Sequence, residues 1–78
     1  MDPVQLVERD VNGDGKLTLR LLMSNQPHDV EVYNVEGNML DVTIDEAYRM
    51  RFWFPFTLSD KKLRCLVNNR AVIINLYS

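Results

Sequence analysis

Apolar side chains occupy every second position over much of the chain, and turn residues interrupt this alternation at short intervals. The pattern is clearest toward the C-terminus, where it passes through Phe52 and Phe54 and then through two further alternating runs, residues 63–67 and 72–76. Alternation with a period of two residues, bounded by turn residues, is typical of strands that are buried on one face. The chain is therefore predicted to be built from strands.

Turn signals between the alternating runs define seven predicted strands. They cover residues 3–7, 16–23, 29–35, 39–44, 48–56, 63–67 and 71–77. Residues 10–15 contain Asn-Gly and Asp-Gly, which together predict a hairpin. Residues 45–47 are the only segment with helical character, and they are too few to form a helix. Seven short strands without a helix predict an all-β fold, an antiparallel two-sheet β-sandwich.

Length, charge and cysteine content narrow the class of protein. A chain of 78 residues is expected to form a single domain over residues 1–78. A net charge of -2 gives no electrostatic reason to expect nucleic acid or an anionic membrane as a partner. The single cysteine cannot form an internal disulfide, so we expect a domain that is stable in the reducing cytoplasm. Neither a membrane-spanning stretch nor a signal peptide is recognisable.

The turn at residues 10–15 also resembles the opening of a calcium-binding loop. Asp10, Asn12 and Asp14 would supply oxygen ligands at the first, third and fifth positions. The twelfth position, where such a loop needs a bidentate acid, is Leu21. A hairpin turn with incidental acidic residues is therefore favoured, and a weak calcium-tuned β-module is kept as an alternative.

Catalytic chemistry finds little support in the sequence. His28 is the only histidine, so one chain can assemble neither a zinc site nor a histidine-based triad around it. The acids Asp41, Asp45 and Glu46 fall on the polar side of a predicted strand and its turn, which favours a solvated face. We therefore expect a non-enzymatic domain without a cofactor.

The aromatic run at residues 52–56 is the feature that folding explains least. Alternation places Phe52, Phe54 and Phe56 on one face and Trp53 on the other, with Arg51 nearby. An exposed tryptophan beside an arginine is typical of an interaction hot spot. The alternative is that Trp53 packs under the N-terminal strand of the same chain.

The order of the C-terminal strands resembles the α-crystallin domain of the small heat-shock proteins and the related CS-domain co-chaperones. Phe-Trp-Phe-Pro at residues 52–55 is followed by a connector, the strand at 63–67, an Asn-Asn-Arg turn and the strand at 71–77. Upstream, Asp29, Val30 and Val32 match one family strand, and Leu40 and Val42 match the next. The resemblance implies a two-sheet sandwich that binds other proteins.

Three departures from the family pattern shape the expectations. Arg70 stands where the family has a turn glycine, so Asn69 is expected to take the positive φ instead. Only residues 45–47 stand where dimerising members have a long loop with an extra strand, and the sequence ends at Ser78, directly after the last strand. We therefore expect a monomer or a weak dimer and no large cage.

The resemblance also implies a binding site. In the family, a groove between the strands matching residues 29–33 and 63–67 holds an extended peptide, and the matched positions here are Val30, Val32, Leu63, Cys65 and Val67. Cys65, read from the alternation, is predicted to be a small buried residue. With Trp53, these residues form the predicted partner-binding set. The expected function is to bind other proteins as an ATP-independent chaperone or co-chaperone. The alternative is a passive interaction module of a larger complex.

Overall fold

The computed structural model describes residues 3–11 and 16–77, and over these residues it contains strands and no helix. The seven strands are β1 (Val4–Val11), β2 (Leu17–Met23), β3 (Val30–Val35), β4 (Met39–Ile44), β5 (Tyr48–Trp53), β6 (Lys62–Asn68) and β7 (Ala71–Tyr77). They form two antiparallel sheets, which confirms the predicted all-β, two-sheet class. Within the described ranges, no helix is long and apolar enough to cross a membrane.

The chain divides into two compact units, each of which contains one sheet. The four-stranded unit holds β1, β2, β7 and β6 in that spatial order, and the three-stranded unit holds β3, β4 and β5. Every neighbouring pair of strands is antiparallel. The prediction of one domain over residues 1–78 stays a prediction.

The buried face of the four-stranded unit is formed by its two central strands. Leu17, Leu19 and Leu21 of β2 lie directly opposite residues 76, 74 and 72 of β7, and all six side chains are buried. These positions follow the alternation because successive side chains of a strand point to opposite sides. Their intervening neighbours, such as Thr18 and Arg20, lie on the other face.

The three-stranded unit buries the face that carries Leu40, Val42 and Ile44 of β4. Two tight turns connect its strands, and residues with positive φ occupy both: Glu36 and Gly37 between β3 and β4, and Asp45 and Glu46 between β4 and β5. Two consecutive positive φ values are the signature of a type I′ turn, whose twist matches that of antiparallel strands. Gly37 takes a positive φ at no steric cost and an aspartate such as Asp45 tolerates it, whereas the two glutamates adopt a conformation that is uncommon for their type.

The segment after β5 is held against the β3–β4 turn by backbone hydrogen bonds. The Phe54 amide donates to the Asn38 carbonyl over 3.0 Å, and the Leu58 amide donates to the Gly37 carbonyl over 2.6 Å. Leu58 is buried, although it lies outside any strand and sequence alternation gave no reason to expect it in the core. The strand predicted over residues 48–56 ends at Trp53 in the structure. Beyond it, the Phe54 amide donates to Asn38, and Pro55 has no N–H to donate to a neighbouring strand.

The N-terminal strand is longer than predicted. β1 runs to Val11, so Asp10 belongs to the strand and not to the turn. β1 pairs with β2 from Val4 to Val11. The hairpin predicted at residues 10–15 falls largely on residues 12–15, which lie outside the described residues. The register shifts between Leu6 and Glu8, and this irregularity is a β-bulge.

The β6–β7 turn confirms the expectation for Asn69, which has a φ of 56°, while Arg70 stays outside the positive region. A single positive φ at the first central position of a two-residue turn is the type II′ pattern, and glycine is favoured there. We predict that Asn69→Gly raises the free energy of unfolding by up to about 1 kcal/mol in urea titrations.

Arg70→Gly is the matched control for that substitution. Because Arg70 needs no positive φ, glycine at this position only adds freedom to the unfolded chain and should lower stability by about 0.5–1 kcal/mol. Equal effects of the two glycine substitutions would contradict the assigned turn geometry.

Asp45 ties the β4–β5 turn to the start of β3. Its carboxylate Oδ1 accepts the amides of His28 and Asp29 over 2.6 and 2.9 Å, and its own amide donates to the Asp29 carbonyl over 2.8 Å. The two amide donors, Asp29 first and then His28, hold the pKa of the Asp45 carboxyl below its ordinary value. The turn is therefore stabilised by the ionised carboxylate.

This contact predicts an acid-dependent loss of stability. A carboxyl whose pKa is lowered by folding stabilises the fold fully above its unfolded pKa of about 3.9, and this contribution is lost as the pH falls through the lower folded value. Asp45→Asn keeps an acceptor oxygen and tolerates positive φ but does not titrate. Thermal unfolding of this variant should therefore depend less on pH below about 4 than that of the wild type.

Asp41→Asn is the comparison variant, since Arg51 also holds the pKa of Asp41 below its ordinary value through a hydrogen bond. Each single variant should lose part of the acid dependence, and the double variant should lose more. An acid dependence that is unchanged in Asp45→Asn would mean that the two amide contacts do not stabilise the ionised form.

Candidate binding edge

β6 lies at one edge of the four-stranded sheet and is exposed along its whole length. Its only strand neighbour is β7, so the N–H and C=O groups that point away from β7 have no strand to pair with among the described residues. Such groups form a ready template for another extended segment. We call Lys62–Asn68, with its unpaired side, the β6 edge.

The register of β6 with β7 decides which side chains share a face. Leu63, Cys65 and Val67 lie opposite residues 76, 74 and 72, which belong to the buried face of the sheet. Leu63 and Val67 are nevertheless 43% and 46% exposed. The apolar face of the sheet therefore continues to the β6 edge, where its side chains are only partly buried.

The opposite edge, β1, is built differently. The bulge between Leu6 and Glu8 interrupts its pairing, and Arg9 lies opposite Leu19, so that β1 carries a cation on the apolar face. Bulges and inward-pointing charges are two devices by which proteins prevent an edge strand from pairing further. β6 has neither device on that face, since its three inward positions are Leu63, Cys65 and Val67.

The other face of β6 is basic at one end. Lys62 and Arg64 lie opposite Tyr77 and Asn75, and Leu66 lies opposite Ile73. Arg64 also borders a shallow pocket of about 360 Å³ that includes Lys16 and Tyr77. The pocket is wide and polar, and inside it Thr18 Oγ1 donates to Asn75 Oδ1 over 3.0 Å. The β6 edge thus combines an apolar face with a cationic one.

The prediction that Cys65 is buried is wrong. Cys65 occupies an apolar position of its strand but is exposed, because it lies on an edge strand with a neighbour on one side only. Nearby atoms still remove enough water from the sulfur to raise the pKa of the thiol. A raised pKa lowers the thiolate fraction at neutral pH and so argues against an activated nucleophile.

Val30 and Val32 lie on β3, which is an edge strand of the three-stranded sheet. They are half-buried and lie opposite Ile44 and Val42 of the buried face. The predicted binding residues are therefore divided between two sheets: Val30 and Val32 share one face of β3, while the β6 positions share one face of another strand.

Trp53 lies on β5, on the opposite face of the three-stranded sheet from Val30 and Val32. It is 58% exposed, and the alternative in which the N-terminal strand packs over it stays a prediction. Arg51 shares its face, but the guanidinium is engaged with Asp41 through two hydrogen bonds of 2.6 and 2.9 Å. The predicted pairing of tryptophan with a nearby arginine is thus only partly realised.

Only one of the three candidate calcium ligands lies within the described residues. Asp10 is an exposed residue of β1, whereas Asn12 and Asp14 lie outside the described residues. Within residues 3–11 and 16–77, no group of three or more histidine, cysteine or acidic side chains is arranged to hold a metal ion. Asp41 and Asp45 instead act structurally, as acceptors for Arg51 and for two backbone amides.

The sequence predicts the apolar positions of β6 but not that β6 is an edge strand. The alternation is the same in β6 and in β7, and only the strand order shows that one is at an edge and the other is central. Leu66, which is also exposed, was not predicted, because it lies on the face assigned to polar residues.

No protein-family model, curated protein or solved structure matches the chain.

Proposed function

We propose that this domain is a non-enzymatic protein-binding module that adds an extended segment of a partner protein to the β6 edge. The observation that carries the proposal is the apolar row of Leu63, Cys65 and Val67, exposed beside backbone groups that face no second strand among the described residues. In strand addition, main-chain hydrogen bonds supply affinity and alternate side chains supply specificity. An edge with both elements is suited to this mode.

The two faces of β6 define the chemistry of the partner. The partner's side chains next to the apolar row would be apolar. The partner's side chains on the other face would be acidic or polar, because Lys62 and Arg64 lie there. An extended segment that alternates apolar and acidic residues fits both faces. Trp53, exposed on β5, is a second apolar contact on the surface of the domain.

The resemblance to the α-crystallin and CS domains adds a more specific proposal, ATP-independent chaperone or co-chaperone binding in the cytoplasm. A passive interaction module of a larger complex would use the same edge without preventing aggregation. The two differ in selectivity: a holdase captures many unfolded chains, whereas a passive module binds one partner at a fixed ratio.

Peptide binding tests the proposal directly. The probe is a fluorescein-labelled short peptide that alternates valine with glutamate, and its matched control has a central valine replaced by proline. Proline lacks an N–H and cannot join a ladder at that position, so the control should bind at least about tenfold more weakly in fluorescence anisotropy.

Amide hydrogen exchange locates the bound peptide. Binding should protect amides of β6 and leave those of β1 unchanged, because a bulge interrupts β1 whereas the register of β6 is regular. Protection confined to β1 or β3, or equal binding of the two peptides, would contradict the proposal.

Light scattering of reduced insulin then separates the two forms of the function. Suppression of its aggregation by excess domain, without ATP, would support the holdase. Peptide binding without suppression would support the passive module.

A further inference from the structure

We propose that the pocket across β2, β7 and β6, on the face of the four-stranded sheet opposite its buried leucines, binds a phosphate monoester. The pocket measures about 360 Å³, and of the described residues that line it, Lys16 and Arg64 are cations and none is acidic. The whole chain has a net charge of -2, so this concentration of positive charge departs from its composition. A depression lined by charge of one sign attracts ligands of the opposite sign.

Three neighbouring strands form the pocket. Thr18 of β2 and Arg64 of β6 both lie opposite Asn75 of β7, so the three side chains make one row across the sheet. Thr18 and Asn75 are half-buried, and so is Tyr77, which lies two positions beyond Asn75 on the same face. Lys16 and Arg64 are exposed. The pocket therefore combines half-buried polar groups with two exposed cations, and it lies on the face of the sheet and not along the free backbone of β6.

The Asn75 amide is held in one orientation. Its Oδ1 accepts a hydrogen bond from the Thr18 hydroxyl over 3.0 Å, so its Nδ2 donor group faces away from Thr18. The amide needs no reordering when an anion binds, which lowers the entropic cost of binding. Tyr77 adds a phenolic hydroxyl, and the Arg64 guanidinium is able to donate two parallel hydrogen bonds.

The number of these donors favours a phosphate over a carboxylate. A carboxylate has one charge and two oxygens, which a single guanidinium satisfies. A phosphate monoester carries a charge of about -1.5 to -2 and three acceptor oxygens at neutral pH. It is therefore able to use the second cation, Lys16, and a neutral donor such as the Asn75 amide together with Arg64.

Two acidic residues of β1 share this face of the sheet. Asp10 lies opposite Thr18, and Glu8 lies opposite Arg20. Because neighbouring strands are about 4.8 Å apart, the backbone of Asp10 is about 14 Å from that of Arg64, which exceeds the Debye length at physiological salt. Arg20 thus has an acid on the strand beside it, whereas Arg64 lines the pocket.

Titration of the ¹⁵N-labelled protein with methyl phosphate at constant ionic strength tests the proposal, and dimethyl phosphate is the matched diester. Amide shifts in the nuclear magnetic resonance spectrum should saturate and should be largest in residues 16–18, 63–65 and 75–77. The monoester should bind at least about fivefold more tightly than the singly charged diester. Equal affinity for the two, or shifts spread over all basic residues, would overturn the proposal.

Arg64→Gln and Arg20→Gln are a matched pair of variants, because each removes one exposed cation from the same face. Arg64→Gln should weaken binding of methyl phosphate by at least about tenfold, and Arg20→Gln should change it by less than about twofold. Equal losses would mean that the net charge of the domain attracts the anion and that the pocket does not. Circular dichroism verifies the fold of both variants.

Asn75→Asp tests the pocket by a second route. Aspartate keeps the size of the side chain and an oxygen acceptor for Thr18, but it adds a negative charge beside the proposed ligand. Saturable binding of methyl phosphate should be lost in this variant, and unchanged affinity would place the anion elsewhere.

Two larger probes identify the source of the phosphate group. One is a short peptide with a central phosphoserine, and the other is ribose 5-phosphate. Both are titrated with the wild type and with Arg64→Gln. The probe that binds more tightly in an Arg64-dependent manner assigns the site to a phosphorylated protein or to a small sugar phosphate. If both bind more weakly than methyl phosphate, the pocket excludes larger esters and the proposal is wrong.

Discussion

Leu19→Ala is expected to lower the free energy of unfolding by about 2–5 kcal/mol. Leu19 is 0% exposed and lies on β2, a central strand, directly opposite Ile74. Truncation removes buried methyl groups and leaves a cavity that neighbouring strands cannot close without shifting. Since small domains have a total stability of only about 5–15 kcal/mol, a large part of it would be lost. Urea denaturation followed by circular dichroism measures the change.

Leu66→Ala is the control for this prediction. It makes the same chemical change at an edge position that is 49% exposed, so the loss should stay below about 1 kcal/mol. Similar losses for the two variants would mean that the β2 face is not the core of the four-stranded unit.

The contrast between these leucines shows what alternation can and cannot predict. The runs at Met39–Ile44 and Ala71–Tyr77 were predicted with the bounds that the structure has, because apolar and polar residues alternate cleanly and turn residues flank them. Asn69 followed from the same kind of reasoning: a turn needed a positive φ, and asparagine accepts it more readily than arginine.

Alternation fails where burial depends on neighbouring strands. Cys65 and Ile74 have equivalent positions in their strands and lie opposite each other, yet Ile74 is buried and Cys65 is exposed. A central strand is covered by neighbours on both sides, whereas an edge strand has a neighbour on one side only. Strand order is set by long-range pairing, and no local pattern in this sequence encodes it.

Strand limits fail for a related reason. The first strand is predicted over residues 3–7, where Val4 and Leu6 alternate, and the dense turn signal begins at Asp10. In the structure β1 continues to Val11, because a bulge absorbs the irregularity and β2 supplies the pairing partner. Tertiary pairing here overrides the local signal.

The same irregularity explains why the two edges of the four-stranded sheet are expected to behave differently. The bulge and Arg9 that obscured β1 in the sequence are the features that blunt it as a template. β6 has a regular register, which made it easier to predict than β1. The same regularity makes β6 a better template than β1 for a further strand. The proposed strand addition needs a regular edge of this kind, with neither a bulge nor a charge on its apolar face.

Val67→Lys is expected to weaken binding of the valine–glutamate peptide by at least about tenfold. Val67 belongs to the apolar row of β6, and an ammonium group there would have to be desolvated beside an apolar side chain of the bound strand. Val67 is on an edge strand and partly exposed, so the fold should tolerate lysine. Fluorescence anisotropy measures the affinity, and thermal unfolding verifies the fold.

Leu6→Lys is the matched control, because it introduces the same charge on the same sheet face at the opposite edge. Leu6 lies on β1 opposite Leu21 and is about as exposed as Val67. Peptide affinity should stay within about twofold of the wild type, since β1 is interrupted by its bulge. Equal losses in both variants would mean that the peptide recognises the whole apolar face, and retained binding in Val67→Lys would show that the peptide does not depend on the apolar row of β6.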